Sequence, residues 1–139
     1  MRYTRRQKFG AWFFSEVIAP LAGYNKRTRE NLNLIFPEME EAKVARLTAS
    51  VGRNIGITLS ELFSPDDFVK NVTNCALKGD GLEALKRAHE QGRPVIVVSG
   101  HFCNYDVVRA NLIAMNLRVG GLYRRMNNPY FDDYYIKSI

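Results

Sequence analysis

The amino-acid sequence predicts an α/β fold, in which an N-terminal helical segment precedes a partial, mostly parallel sheet flanked by helices. Val95–Val98 is an unbroken run of β-branched residues, which is typical of a strand buried on both faces of a parallel sheet. Arg118–Tyr123 gives a second β-like run, and Val107–Met115 between them has helical spacing. Strand, helix and strand in this order predict a right-handed crossover between parallel neighbours.

The first 72 residues are predicted to be helical, with boundaries set by prolines and capping residues. Thr28–Phe36 is predicted to be a short helix that Thr28 caps and Pro37 ends. Glu38–Phe63 has the longest helical pattern, with apolar residues at steps of three and four. Ser64–Asp67 then supplies a cap, a proline and two acids, which together predict the start of another helix.

Shorter elements are predicted on either side of the two β-like runs. Asn74–Lys78 is predicted to be a short edge strand of the sheet. Gly81–Gln91 has helical spacing, and Gly92 is expected to end that helix. Tyr130–Ile139 is predicted to be a further helix.

The composition is that of an ordinary globular chain rather than a disordered one, with 46% hydrophobic and 24% charged residues. We expect one partial domain over residues 1–139, with a helical part at 1–72 and a partial α/β core at 73–139. The net charge of +6 indicates an acidic partner, such as nucleic acid, an anionic membrane surface or an acidic carrier protein. Cys75 and Cys103 lack the spacing of a metal site and favour a reducing compartment, and a single disulfide between them is the alternative.

Residues 1–30 are both basic and aromatic. The cations are Arg2, Arg5, Arg6, Lys8, Lys26, Arg27 and Arg29, and the aromatic residues between them include Phe9, Trp12, Phe13 and Phe14. This pattern is typical of a segment that lies in a membrane interface. A first core helix with a solvated basic lead-in fits it too. A nucleic-acid-binding arm fits the charge, but no recognition motif accompanies it. Phe9–Tyr24 is too short, and its Glu16 too polar, for a membrane span.

His101 directly follows the first predicted strand, and Asp106 falls in the first turn of the next helix. Ligands of α/β folds gather at the carboxyl ends of strands. The His-x4-Asp spacing allows the carboxylate to fold back onto the imidazole and fix its tautomer. The other ring nitrogen can then take a proton from a hydroxyl. The simpler alternative is that His101 caps the strand or packs at its end.

Arg124 and Arg125 follow the second predicted strand, on the same predicted sheet edge as His101. Arginines in such a place can hold a phosphate or a carboxylate. The alternative is a solvated turn with surface cations.

Four stretches carry a resemblance to a known family. They are Arg29–Glu38, Gly81–Leu85, Ser99–Asp106 and Tyr123–Pro129. In this order they resemble the lipid A biosynthesis lauroyl/myristoyl acyltransferases, which belong to the lysophospholipid acyltransferase superfamily. The third stretch is similar to the family's block Ser-Gly-His-Phe-Gly-Asn-Trp-Glu. Within it, Cys103 replaces the glycine, Tyr105 the tryptophan and Asp106 the glutamate.

The resemblance implies a bacterial enzyme on the cytoplasmic face of the inner membrane, with the helical part next to the membrane. It would transfer an acyl chain from acyl carrier protein to a hydroxyl of a lipid A precursor, without a metal or other cofactor. His101 would be the general base and Asp106 its orienting partner. The implied substrate-binding residues are Asn104, Arg124, Arg125, Asn127 and Asn128. The resemblance also implies a fragment that lacks the family's N-terminal anchor and C-terminal half.

Three alternatives stay open at the level of the sequence. A glycerophospholipid acyltransferase acting on lysophosphatidate usually has Asn before the catalytic His and Ser two residues after it, where this chain has Gly100 and Cys103. A non-catalytic peripheral membrane module would need Trp12 and Phe13 but not His101. A Cys103 nucleophile is disfavoured because residues two apart on a turn rarely bring sulfur and imidazole together. Acyl length, acceptor hydroxyl and oligomeric state are undetermined.

Overall fold

The computed structural model describes residues 2–73, 75–100, 104–125 and 127–138. The helices are α1 (Tyr3–Phe13), a π-helical segment (Phe14–Ile18), α2 (Ala19–Leu21), α3 (Tyr24–Ile35), α4 (Glu41–Leu62), α5 (Pro65–Val72), α6 (Leu82–Glu90), α7 (Asp106–Ala114) and α8 (Pro129–Ser138). The chain divides into two compact units, residues 1–64 and 65–139. The division falls before the boundary at residues 72 and 73 that the sequence suggests.

The predicted α/β class is wrong, because the described residues form helices and irregular segments and no strand. The segments predicted to be strands are irregular instead, namely residues 75–78, 95–98 and 118–123. Asn74 lies outside the described residues. Ile96 and Val98 are 91% and 90% exposed. β-branched residues favour extended backbone, but a strand exists only when its backbone groups pair with a neighbour. The residue types indicate the preference for extended backbone, but they do not show whether a pairing partner exists. The predicted parallel sheet and its carboxyl edge are therefore also wrong.

The helix predictions are confirmed for the longer periodic segments. Helices α4, α6 and α7 lie within a few residues of their predicted bounds, and α5 begins at Pro65 as the cap, proline and acids indicate. The cap predicted for α3 is wrong, because this helix begins at Tyr24 and Thr28 lies inside it. Gly23 precedes the helix with φ of 75°, a left-handed conformation that glycine adopts without a steric penalty.

In the first unit, α4 packs against α1, the π-helical segment and α3. The closest approach is between Gly56 of α4 and Gly10 of α1, where a Cβ added to Gly56 would lie 2.9 Å from the Cα of Ala11. Ser60 stands one turn after Gly56 and donates a hydrogen bond to its carbonyl oxygen at 2.8 Å. The missing side chains therefore bring the two helix backbones into direct contact.

In the second unit, α5 packs on α7 through a small apolar cluster. Phe68, Val72 and Ala110 are buried there, and Val107 packs against them. Asn111 of α7 is also buried, and its amide nitrogen donates to the carbonyl oxygen of Val107 at 2.9 Å and to that of Val72 at 3.4 Å. This cluster fixes α7, the helix that carries Asp106.

Candidate functional site

The candidate site is built at the start of α7. Asp106 is the first residue of this helix. Its negative charge is favourable there, because the helix dipole is positive at the N-terminus. Its Oδ1 lies 3.0 Å from Nε of Arg109, one turn further along, and the two side chains are only 15% and 26% exposed. The carboxylate is thus held in a fixed place by a partly buried ion pair.

Asn104 shapes the turn that leads into α7. Its side-chain oxygen accepts a hydrogen bond from the backbone N–H of Asp106 at 3.0 Å, and its carbonyl oxygen accepts one from the N–H of Val107 at 3.3 Å. These two contacts satisfy N–H groups that the first turn of a helix leaves without a partner inside the helix. The contacts give Asn104 a role in positioning Asp106, and its predicted role in substrate binding stays a prediction.

His101, Phe102 and Cys103 lie outside the described residues. The predicted contact between His101 and Asp106 therefore stays a prediction. Gly100, the residue before His101, lines a cavity of ≈ 350 Å³ together with Ser99, Tyr105, Leu122, Tyr123, Arg124 and Tyr135. An open space thus lies beside Gly100 and Tyr105, with Arg124, one of the predicted substrate-binding arginines, in its wall.

Three tyrosines make up much of this smaller cavity's wall. The hydroxyl oxygens of Tyr105 and Tyr135 lie 3.4 Å apart, and the rings of Tyr123 and Tyr135 stack with centroids 6.0 Å apart. Burial raises the pKa of Tyr135 well above its ordinary value, and the Tyr105 hydroxyl and the Asp106 carboxylate add to that effect. Tyr135 is therefore a neutral hydrogen-bonding group at any physiological pH.

A larger cavity, ≈ 600 Å³ in volume, lies beside the same helix. Apolar side chains make up much of its wall: Leu85, Pro94, Val95, Val97, Val108, Leu112, Leu117 and Val119. Arg93, Arg109 and Arg118 also line it, and no aspartate or glutamate is among its described lining residues. A space with this lining suits a ligand that joins an apolar chain to an anionic group.

The other predicted substrate-binding residues fall on the loop before α8. Arg124 lines the smaller cavity, whereas Arg125 is exposed and pairs with the buried Asp132, Nε to Oδ2, at 3.6 Å. Asn128 caps α8, because its side-chain oxygen accepts hydrogen bonds from the N–H groups of Tyr130 at 3.1 Å and Phe131 at 3.3 Å. Asn127 is exposed on a bend.

Sequence reasoning missed Arg109 and the tyrosines. The spacing of Asp106 and Arg109 is that of neighbouring side chains on one helix face, so this pair could have been found by testing charges three apart. Tyr105 and Tyr135 are separated by thirty positions, and no local pattern connects them. Within the described ranges no three metal-ligating side chains come together. The expectation that no metal or cofactor is needed stays a prediction.

A second surface of interest belongs to the first unit. Phe9, Trp12 and Phe13 of α1 are 54%, 56% and 41% exposed, and the ring centroids of Phe9 and Phe13 stack 5.8 Å apart. Arg2, Arg5 and Lys8, which precede these rings in the sequence, are also exposed. No helix in the described part of the chain is both long and apolar enough to cross a bilayer.

Comparison with known proteins connects these residues to a family. The sequence profile of the bacterial lipid A biosynthesis acyltransferases matches residues 4–138. A lipid A biosynthesis palmitoleoyltransferase of Escherichia coli (strain K12) and a lipid A biosynthesis acyltransferase of Shigella flexneri are each 31% identical over 108 residues. These alignments cover 75% of this chain and 34% of each relative, so the chain spans about a third of their length. No solved structure matches.

The profile match includes the His-x4-Asp stretch, both cavities' lining residues and the helices of the first unit. It confirms the family resemblance that Ser99–Asp106 and the three other stretches indicate. The chain belongs to the bacterial lipid A biosynthesis acyltransferase family.

Proposed function

We propose that this chain is part of an enzyme that transfers a fatty acyl chain to a hydroxyl of a lipid A precursor during lipid A biosynthesis. The observation that carries the proposal is the family match, which runs through Ser99–Asp106 and the residues around it. Both curated relatives are named for lipid A biosynthesis, and one is named for the acyl group that it transfers. The donor in this proposal is acyl carrier protein, an acidic partner that suits the net charge of +6.

His101 acts as the general base in the proposed reaction. A neutral hydroxyl is a poor nucleophile, so the imidazole removes its proton as the oxygen attacks the thioester carbonyl. The imidazolium then returns the proton to the departing thiolate, and no covalent acyl-enzyme forms. The Asp106 carboxylate accepts a hydrogen bond from the second ring nitrogen, which fixes the tautomer and stabilises the imidazolium.

The surroundings of Asp106 support this chemistry. The carboxylate is held at the start of α7 by Arg109, and Asn104 fixes the turn before it. The larger cavity offers an apolar wall of the kind that an acyl chain needs, and Arg93 and Arg118 in its wall suit an anionic part of the donor. We assign Arg124, at the smaller cavity, to the phosphorylated acceptor.

The test replaces His101 by alanine in the full-length protein and measures acyl transfer from acyl carrier protein to a lipid A precursor. We expect kcat/KM to fall by about 10²–10⁴-fold, the usual contribution of a general base. Arg87→Ala, on the exposed side of α6, is the control and should leave the rate unchanged. A rate within a few-fold of wild type for His101→Ala would rule out the base. Faster turnover of lysophosphatidate would instead overturn the acceptor.

We also propose that the protein works at an anionic membrane surface, on the cytoplasmic face of the bacterial inner membrane. The exposed rings of Phe9, Trp12 and Phe13 would enter the headgroup layer, and the cations beside them would meet anionic lipid. Each exposed cation near such a surface contributes about 1 kcal/mol of attraction.

Vesicle binding tests the membrane proposal. The double variant Trp12→Ala/Phe13→Ala should bind vesicles rich in phosphatidylglycerol at least about tenfold more weakly, because burying each ring is worth roughly 1.5–3 kcal/mol. Phe36→Ala removes an exposed ring elsewhere in the first unit and should bind like wild type. Equal binding by the double variant and wild type would contradict this orientation.

A further inference from the structure

We propose that Arg109 is a positioning residue of the acyl-transfer site: it holds the Asp106 carboxylate in place and tunes the basicity of the imidazole that this carboxylate orients. The inference rests on the proposed function, since it concerns the same base. It adds a residue that the His-x4-Asp pattern does not contain. Arg109 stands three positions beyond Asp106, on the same face of α7.

The geometry distinguishes this pair from an ordinary surface ion pair. The Nε of Arg109 lies 3.0 Å from Oδ1 of Asp106, with both side chains mostly buried at 26% and 15% exposure. The pair between Lys86 and Glu83 has the same spacing on α6, but its side chains are 42% and 67% exposed. Solvent screens an exposed pair almost completely, whereas partial burial leaves a persistent contact and a stronger local field.

The contact leaves Asp106 restrained from two sides. Its backbone N–H is bound by the side chain of Asn104, and its carboxylate is bound by Arg109. Aspartate stands where the resembled family has glutamate, so its carboxylate reaches one methylene less far from the helix. A shorter side chain gains from a fixed direction, because a small error in placement costs a general base much of its effect. Arg109 supplies that fixed direction.

The charge of Arg109 has a second effect on the base. A carboxylate stabilises the imidazolium form of a bound histidine and raises its pKa, whereas a guanidinium on the same carboxylate offsets part of that rise. The histidine thus stays neutral, and able to accept a proton, at a lower pH. Among the described residues, the ionisable groups near this pair include Tyr105 and Tyr135 and, lining the larger cavity with Arg109, His89, Arg93 and Arg118.

The experiment compares Arg109→Ala, Arg109→Lys and wild type in the full-length protein, with kcat and KM measured across pH. We expect Arg109→Ala to lower kcat by about 10–100-fold with little change in KM, as loss of alignment does. The acidic limb of its kcat/KM profile should move up by roughly one pH unit, because the offsetting positive charge is gone. Arg109→Lys keeps the charge and should return the limb to near its wild-type position. Arg87→Ala is the control.

The double variant Asp106→Asn/Arg109→Ala separates positioning from general stability. If Arg109 acts through the carboxylate, its removal should change the pH profile no further once Asp106 is amidated. An unshifted acidic limb in Arg109→Ala, or a shift of equal size in the Asp106→Asn background, would overturn the inference even if the pair proves to stabilise the fold.

Failure of the proposed function would look different. An active His101→Ala variant would remove the base itself, whatever Arg109 does. The coupling between Asp106 and Arg109 can be read without any activity, from the Tm values of the two single variants and the double variant. Additive losses of Tm would show that the two side chains do not interact in solution, and would overturn the positioning role on their own.

Discussion

In the first unit, residues 1–64, the helices touch through their backbones, whereas in the second, residues 65–139, they touch through a few side chains. Gly10 and Gly56 remove the side chains between α1 and α4, and the fit there is steric. The apolar cluster of the second unit is small, and polar contacts at helix starts accompany it. The first unit is therefore sensitive to added volume, and the second to lost contacts.

The difference also separates two kinds of candidate function. The first unit leaves Phe9, Trp12 and Phe13 exposed on a helix whose other face is tightly packed, which suits a surface that binds without chemistry. The second unit surrounds Asp106 with polar and ionisable partners and two cavities. Preorganised polar groups beside an open space are what a reaction needs.

The largest expected effect tests the small cluster of the second unit. Phe68→Ala should lower the free energy of unfolding by about 3–4 kcal/mol, because the ring is buried and few neighbours are available to refill its space. Hydrogen exchange measured by mass spectrometry would show the loss of protection within residues 65–139. Tyr130→Ala removes an exposed ring of the same unit and should change little. Equal losses of unfolding free energy in Phe68→Ala and Tyr130→Ala would contradict the conclusion that a few buried side chains hold the second unit together.

A slightly smaller effect is expected at the backbone contact of the first unit. Gly56→Ala should lower the free energy of unfolding by about 2–3 kcal/mol, because its Cβ would meet the backbone of Gly10 and Ala11, which cannot move aside like a side chain. Gly81→Ala is the matched control, since a Cβ there meets nothing within 4 Å and its φ of −80° is ordinary. Chemical unfolding followed by circular dichroism gives both values. A tolerated Gly56→Ala would refute the steric account.

The cap of α8 should contribute less. Asn128→Ala removes the acceptor for the N–H groups of Tyr130 and Phe131 and should lower the free energy of unfolding by about 1 kcal/mol. Asn127→Ala, one position earlier and exposed on a bend, should have almost no effect on unfolding. If both variants also lose acyl transfer, the loss in Asn127→Ala would indicate substrate contact, because its fold is intact.

The smallest effect at neutral pH is expected for Tyr135→Phe. Its hydroxyl contact with Tyr105 is long, so we expect a loss of no more than about 0.5 kcal/mol at pH 7. The raised pKa of Tyr135 means that its contribution is present below about pH 10, where an unfolded tyrosine ionises, and is lost as pH rises beyond it. Wild type should therefore lose stability from about pH 10 upward, and Tyr135→Phe should lose less. Midpoints of urea unfolding at pH 7 and above about pH 10 would check this, with Tyr130→Phe as the control.

The positions of the helices could be predicted from the sequence better than the contacts between segments that are distant in the chain. Periodic apolar residues predicted α4 and α7 because burial of one helix face leaves a regular trace in the chain. The strand predicted at Val95–Val98 is wrong because β-branched residues indicate only a local backbone preference, whereas pairing with a second segment depends on the whole fold. The site divides in the same way. Asp106 could be placed at a helix start from its local context, whereas its neighbour Tyr135 lies on another helix and left no local signal.

The π-helical segment Phe14–Ile18 gives α1 a register that regular winding would not allow. Ser15 and Ala19 meet Gly52 of α4 on one side of the wide turn, and Gly10 meets Gly56 on the other. Deleting one residue from this segment would restore an ordinary helix and rotate everything before it by about 100° about the axis. Trp12 and its aromatic neighbours would then face a different direction, and the contact between Gly10 and Gly56 would be lost. A single codon thus decides which side of the first helix meets α4.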